Sequence, residues 1–409
     1  MLFTLLRRSS IWTSVQSRPL EFSYRVEELI KKDRNLRKVN LAGNTYRDVN
    51  GRPFVFQSVN KAKELLLNGS DHEYLPIEGL GSFIQCSQQL ALGDTTPYRE
   101  NRVPGIQTVG GTGGVRLALA FINRFMPRTN TIYITRPSSY GSIIKETGFQ
   151  VKELTYYDPN NKEIDFTMML EEIEEAPKNS VFILQACGHD TTGNDLSVEQ
   201  WKAVQDLMAT KQHLTILDLT YQGLASDLVK DGFPVRLFAN EENHLMVVQS
   251  FSRNLGLGGE RIGALSVVCD STHEAGRVLS QLKILARAMY SNPPVHGSRL
   301  VSTVLGKNEL KKLWTDELKT VTERLESTRK ELVQVLKEKG SPHDWSHLIK
   351  QKGLFAHTGL DPEQCGELVD KNHIYLGLDG KISVAGINKF NIDYVADALE
   401  SITRFSKRI

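Results

Sequence analysis

The sequence contains no uninterrupted apolar stretch of the roughly 18 to 20 residues needed to cross a bilayer, which argues against an integral membrane protein. Almost no charge of either sign is left over: 50 Lys and Arg stand against 48 Asp and Glu, and the basic clusters are short mixed runs such as Lys31 to Lys38. Nucleic-acid binding is therefore a poor expectation. Cysteine is scarce, and Cys86, Cys187, Cys269 and Cys365 lie far apart with no C-x-x-C pair. That spacing gives neither a zinc site nor a disulfide framework, and it suits a reducing compartment. No His, Cys or carboxylate cluster has metal-ligand spacing, and no internal repeat or low-complexity tract is present.

Acids are missing from the first twenty residues, the earliest being Glu21, while Arg7, Arg8 and Arg18 and several Ser and Thr are there. Such a composition matches a mitochondrial transit segment, with an ordinary N-terminal arm as the other reading.

What is present is length and a regular alternation. A chain of 409 residues can bury a large core, and two or three domains are the prior. Short apolar runs at 131–135, 180–186, 214–219, 245–249 and 262–268 predict buried strands, and helical spacing at 115–125, 166–175, 197–210 and 271–289 falls between or beside them. The alternation predicts an α/β fold with a mainly parallel sheet, because parallel strands need crossover connections. A site is then expected at the sheet's carboxyl edge. From Asn308 to Lys339 there is no proline or glycine, and apolar residues from Leu310 to Leu336 fall at helical spacings, which predicts one long helix. A mixed segment at 345–387 and a last helix near 391–405 suggest a smaller α+β domain built from the C-terminal part with some N-terminal chain. The expected division is an arm at 1–20, part of the small domain at 21–50, a large domain at 51–305, an interdomain helix at 306–340 and the rest of the small domain at 341–409.

Several residues have types that carry chemistry. The segment Val109 to Gly114 holds four glycines and leads into the apolar helix expected from Val115, so its backbone could receive a phosphate or could be a plain turn. It fits neither a Walker loop nor a dinucleotide fingerprint. Asp218 closes a strand and is followed by Tyr221 and Gln222. An acid there could pair with a protonated ring nitrogen, or simply cap a loop. The run from Gln249 to Arg261 follows another strand and is again rich in glycine and in phosphate-compatible groups. His189 is most simply a satisfied structural histidine, and Arg287 a solvated charge at a helix end.

Taken together, these stretches resemble the aspartate aminotransferases of fold type I, over nearly the whole chain from about Ser9. The resemblance is carried by Val39-Asn40-Leu41 with Tyr46-Arg47-Asp48, Glu73-Tyr74-Leu75-Pro76-Ile77, the loop at 107–114, Glu199-Gln200-Trp201-Lys202, Asp218 to Ala225, the run at 249–263, Met289 to Pro294 and Ile382 to Gly386. Ser9 to Thr13 and Ser280 to Leu285 look more like the mitochondrial isoform than the cytosolic one. The resemblance implies a seven-stranded, mainly parallel sheet sandwiched by helices, pyridoxal phosphate as cofactor, dicarboxylic amino and oxo acids as ligands, and a homodimer with shared sites. It places the cofactor phosphate on Gly110, Gly111, Thr112, Ser250 and Arg261, with Tyr74 from the other subunit. Asp218 matches the partner of the ring nitrogen, Tyr221 the partner of the ring hydroxyl, and Arg287 the cross-subunit arginine that grips a dicarboxylate's far end.

The departures from the family pattern cluster where the chemistry belongs. Arg253 stands where the resemblance implies the lysine that links covalently to the cofactor and carries the proton. A guanidinium has delocalised lone pairs and a pKa above about 12, so it does neither. Lys381 replaces the arginine that clamps the substrate α-carboxylate, turning a planar two-point contact into a point charge. Asp190 replaces an asparagine that donates to the ring oxygen, and a carboxylate there repels a phenolate unless it is protonated or paired. Ser139 or Tyr140 falls where a tryptophan stacks on the ring, in a segment about two residues shorter. Asn44 replaces a glycine of the substrate pocket, and Gly110 a serine of the phosphate loop. The expectation is a homologue with impaired or absent transaminase activity. The alternatives are an altered enzyme using another lysine such as Lys381, and a non-catalytic dimer partner. The expected address is mitochondrial, with cytoplasmic as the alternative.

Overall fold

The computed structural model describes residues 10–17, 22–67, 71–240 and 243–404. Most of the transit-like composition, including Arg7, Arg8 and Arg18, lies outside them, as does Ser9.

The centre is a seven-stranded sheet. In chain order its strands are β1 (Gly105–Val109), β2 (Thr131–Arg136), β3 (Gln150–Thr155), β4 (Val181–Gln185), β5 (Leu214–Asp218), β6 (His244–Ser250) and β7 (Ile262–Val267). The spatial order is β1-β7-β6-β5-β4-β2-β3. All neighbours from β6 to β3 run parallel, and β7 alone is antiparallel to both β6 and β1. Successive residues point to opposite faces, so each apolar strand feeds two cores. Val181, Ile183, Ile216, Met246 and Val248 pack with the Gly110–Phe125 and Thr272–Met289 helices, while Phe182, Leu184, Leu217, Leu245 and Val247 join Trp201, Val204 and Trp314 on the other side. Burial on both faces is why these strands read as unbroken apolar runs.

Two strands escaped the sequence reading. β1 carries Gln107 and Thr108, whose polarity hides it, yet both are fully buried. Gln107 accepts from the Leu80 amide at 3.2 Å and donates to the Pro294 carbonyl at 2.7 Å. β3 is an edge strand with exposed Lys152 and Glu153, the kind of charge that blunts an edge. The helix expected from Val115 begins earlier, at Gly110, so the glycine segment itself forms the first turn.

The long helix runs Asn308–Glu338, with Leu310, Trp314, Leu318, Val321, Leu325, Leu332 and Leu336 buried along one stripe. Gly340, at φ +75°, follows its end, a backbone conformation that glycine adopts without strain. Arg329 on this helix is buried and donates to the carbonyls of Gly353 (2.6 Å) and Phe355 (2.9 Å). Burial pushes its pKa down to about 10, so it stays charged at neutral pH. Phe355–His357 pairs antiparallel with Lys381–Ser383, and Val39–Asn40 pairs parallel with Ile374–Tyr375. The Ser383 amide donates to the Leu41 carbonyl at 2.6 Å, which joins the two pairs. These contacts bring residues near Asn44 and Lys381 to the carboxyl edge of the large sheet. No described helix is long and apolar enough to cross a membrane.

Trp314 is fully buried, and its Nε1 donates to the Asn254 carbonyl at 2.7 Å. Trp314→Phe keeps most of the apolar burial but orphans that carbonyl, which should cost about 1–3 kcal/mol. Trp314→Ala should cost about 3–5 kcal/mol. Urea unfolding at fixed protein concentration checks the ranking.

Candidate active site

β4, β5 and β6 end side by side, and the Gly110–Phe125 helix starts at the same edge. Between these ends and the Asn40–Arg47 and Gly377–Lys381 segments lies a cleft of about 900 Å³. Among the expected site residues, Asn44, Gly111, Thr112, Asp190, Asp218, Tyr221, Ser250, Arg253, Arg261 and Lys381 all line it.

One end of the cleft is shaped by missing side chains. Gly110 has φ +69°, and a Cβ there would sit 2.6 Å from a terminal guanidinium nitrogen of Arg261. A Cβ on Gly111 would meet Thr220 Oγ1 at 3.2 Å and the Ser250 Cβ at 3.3 Å. The helix has no side-chain cap at Val109. First-turn N–H groups, the helix dipole, Ser250 and Arg261 are the kinds of group that could together receive a phosphate-sized anion. Gly110 itself lies behind the cleft wall, not on it.

The floor is acidic. Asp218 is 8% exposed; its Oδ1 accepts from the Thr220 amide (2.8 Å) and hydroxyl (2.5 Å), and its Oδ2 accepts from the Tyr140 phenol (2.6 Å). Burial pushes the Asp218 pKa up, those donors pull it back, and the Asp190 charge adds to the rise. None of the ion pairs among the described residues involves Asp218. Asp190 accepts from Ser139 Oγ (2.7 Å) and Thr191 Oγ1 (3.1 Å). Burial opposes its ionisation, but the Lys381 charge and these donors prevail and hold its pKa below the ordinary value. A carboxylate at this position is thus accommodated by hydroxyl donors and a nearby cation.

Tyr221 is buried, and burial raises its phenol, with Asp190 adding to the rise and the Arg253 charge opposing it. Arg253 itself is half-buried. The Lys381 ammonium lies 3.9 Å above the Phe355 ring centre, a cation–π contact. Tyr74 and Arg287 are exposed and do not line the cleft of their own chain. Arg287 donates to Ser291 Oγ at 2.8 Å. Gln185 and Thr220 were not singled out in the sequence, although both belong to the site. Gln185 Oε1 accepts from the Asp190 amide at 2.8 Å, and Thr220 wraps Asp218 in an Asx-type turn two residues on, a local signal that could have found it.

The chain matches the family described as aminotransferase class I and II over residues 37–399. It belongs to that family. It is 41% identical to the mitochondrial aspartate aminotransferase of Xenopus tropicalis, covering 97% of this chain and 94% of that protein. Identity to the cytoplasmic aspartate aminotransferase of Dictyostelium discoideum is 42%, over 97% and 91% of the two chains. Among solved structures, an aromatic-amino-acid aminotransferase from Burkholderia pseudomallei covalently bound to pyridoxal phosphate superposes with a TM-score of 0.93 at 34% identity, covering 96% of this chain and 100% of that one. A mitochondrial aspartate aminotransferase from Trypanosoma brucei gives a TM-score of 0.90 at 38% identity, over 93% and 100%. The α/β architecture is that of a fold type I aminotransferase.

In this family member the surroundings of His189 are those of a structural residue. The Thr192 amide donates to Nδ1 at 3.3 Å, which leaves Nε2 to donate to Thr135 Oγ1 at 3.1 Å, and the ring stacks on Tyr156 at 4.5 Å. Burial pushes its pKa from 6.5 down to about 4. The unfolded chain therefore takes up a proton before the native state does, and the stability that the neutral ring contributes above pH 6.5 is lost as pH falls toward 4. His189→Asn should be less stable than the wild type at neutral pH, with a gap that narrows on acidification. Unfolding free energies of both proteins across that range test this, and a gap independent of pH would count against it.

Proposed function

We propose that this chain is an aspartate aminotransferase homologue that holds pyridoxal phosphate without a covalent bond and has little or no transaminase activity. The observation that carries this reading is Arg253, which shares one cleft with Asp218, Tyr221, Ser250 and Arg261. The glycine-lined anion receptor fits the cofactor's phosphate, and Asp218, buried with no cation of its own, fits a protonated ring nitrogen. When bound, the cofactor supplies a ring that draws negative charge away from the carbon bearing the amine. The chain's own groups then divide the work. Gly111, Thr112, Ser250 and Arg261 would hold the phosphate end, Tyr221 would meet the ring oxygen, and Asp190, locked by Ser139 and Thr191, would give that oxygen no donor. Asn44 and Lys381 border the side on which a substrate carboxylate enters. A guanidinium offers donors and no free lone pair, so Arg253 neither attacks an aldehyde nor moves a proton between carbons.

Tyr74 and Arg287 are exposed and away from their own chain's cleft, which supports a homodimer in which each completes the partner's site. Dicarboxylic amino or oxo acids are the ligand class, given the aspartate aminotransferases among the relatives. The mitochondrial address rests on the composition of the first twenty residues, and curated relatives of both addresses exist. A second reading has one observation in its favour: Lys381 lines the same cleft and carries an amine that could link to the aldehyde.

Borohydride reduction of the protein loaded with pyridoxal phosphate, followed by peptide mapping, separates the two. No pyridoxyl peptide is expected from the wild type, and one at position 253 is expected from Arg253→Lys. Turnover of aspartate with 2-oxoglutarate should fall short of an ordinary aminotransferase by at least about 10²–10⁴-fold, the usual worth of a positioned proton carrier. An adduct on Lys381 supports the second reading. Ordinary turnover by the wild type overturns the first.

A further inference from the structure

We propose that Arg253 makes the cleft a selective receptor that ranks phosphorylated pyridines by the charge of the ring substituent beside the ring hydroxyl: carboxylate first, aldehyde next, protonated amine last. The inference rests on the cofactor reading above and goes further, because it names which form of the ligand is kept.

Tyr221 is the expected partner of the ring hydroxyl, and Arg253 lines the same cleft. Of the two substituents that flank this hydroxyl in pyridoxal phosphate, the methyl group offers a guanidinium no partner, so the aldehyde is the one that Arg253 would engage. A guanidinium is donor-only and permanently charged. It repels an ammonium, donates to an aldehyde oxygen, and takes a carboxylate in a two-point fork.

The surrounding charges decide whether Arg253 can act in this way. The cations that line the cleft, Arg47, Arg253, Arg261 and Lys381, take part in no ion pair among the described residues. The buried acids could have favoured an amine, but their oxygens are engaged by the chain's own hydroxyls. Ser139 and Thr191 cover Asp190, while Tyr140 and Thr220 cover Asp218. Lys381 further offsets Asp190. Glu27 and Asp379 complete the charged lining. The positive groups are thus left to meet the ligand's substituent, while the two buried acids are covered by hydroxyl donors.

The test is equilibrium dialysis of the full chain against pyridoxal phosphate, pyridoxamine phosphate and the 4-carboxy analogue, with inorganic phosphate as the control anion. A hydrogen bond to a charged group sets the expected scale, so the acid should bind about 10- to 100-fold more tightly than the amine. Arg253→Met and Arg253→Gln should compress that spread. Arg253→Lys should place the aldehyde first, with a borohydride-trapped adduct. Equal or tighter binding of the amine by the wild type overturns the inference and leaves the cofactor reading standing, as does an unchanged ranking in a folded Arg253→Met or Arg253→Gln. Failure of all three pyridines to bind overturns the cofactor reading itself.

Discussion

Burying a carboxylate away from any counter-ion is unfavourable unless donors surround it, and Asp218 is held in that condition. Its strand lies inside the sheet with neighbours on both sides, which fixes the acid at the carboxyl edge and leaves the side chain facing the cleft. Thr220 and Tyr140 supply three hydrogen bonds to it, and the rest of the site is arranged round the residual demand for positive charge. Tyr140 comes from the loop after β2, Asp190 from the turn after β4, and Ser250 from the end of β6. Changing the length of any of these loops alters what reaches Asp218.

The two-sided core makes this possible. Helices cover both faces, so the strands need no polar residues along their length and can end together in a row of polar groups. The second wall comes from elsewhere. The Lys381 strand is placed by its pairing with Phe355–His357, which Arg329 ties to the long helix, and by the Ser383 bond to Leu41. Lys381 therefore owes its position in the cleft to contacts made far from the cleft in sequence.

Much of this was legible beforehand, for physical reasons. Strands buried on two faces print as apolar runs, and helices packed on one side print as a stripe, so β2, β4, β5, β6, β7 and the Asn308–Glu338 helix were readable one by one. β1 was hidden because its buried polar residues are satisfied by partners distant in sequence, such as Leu80 and Pro294 for Gln107. β3 was hidden because an edge strand keeps charge. The glycines around Gly110 pointed to an anion site but not to the start of the helix, since the packing of Arg261 and Ser250 against them is a tertiary fact. In the site, residue types suggested a missing amine and a wrong-signed acid. Local sequence could not show that Ser139 and Thr191 would cover Asp190, or that Tyr140 would spend its hydroxyl on Asp218.

The space beside Gly110 shows how conformation rather than volume can hold a residue type in place. The far end of Arg261 lies where a side chain at position 110 would begin, but that end belongs to a flexible chain and can swing aside. The positive φ cannot be sidestepped in the same way, since an L residue there carries backbone strain at the first turn of the helix. Glycine at position 110 is thus a demand of the backbone first and of the neighbouring guanidinium second.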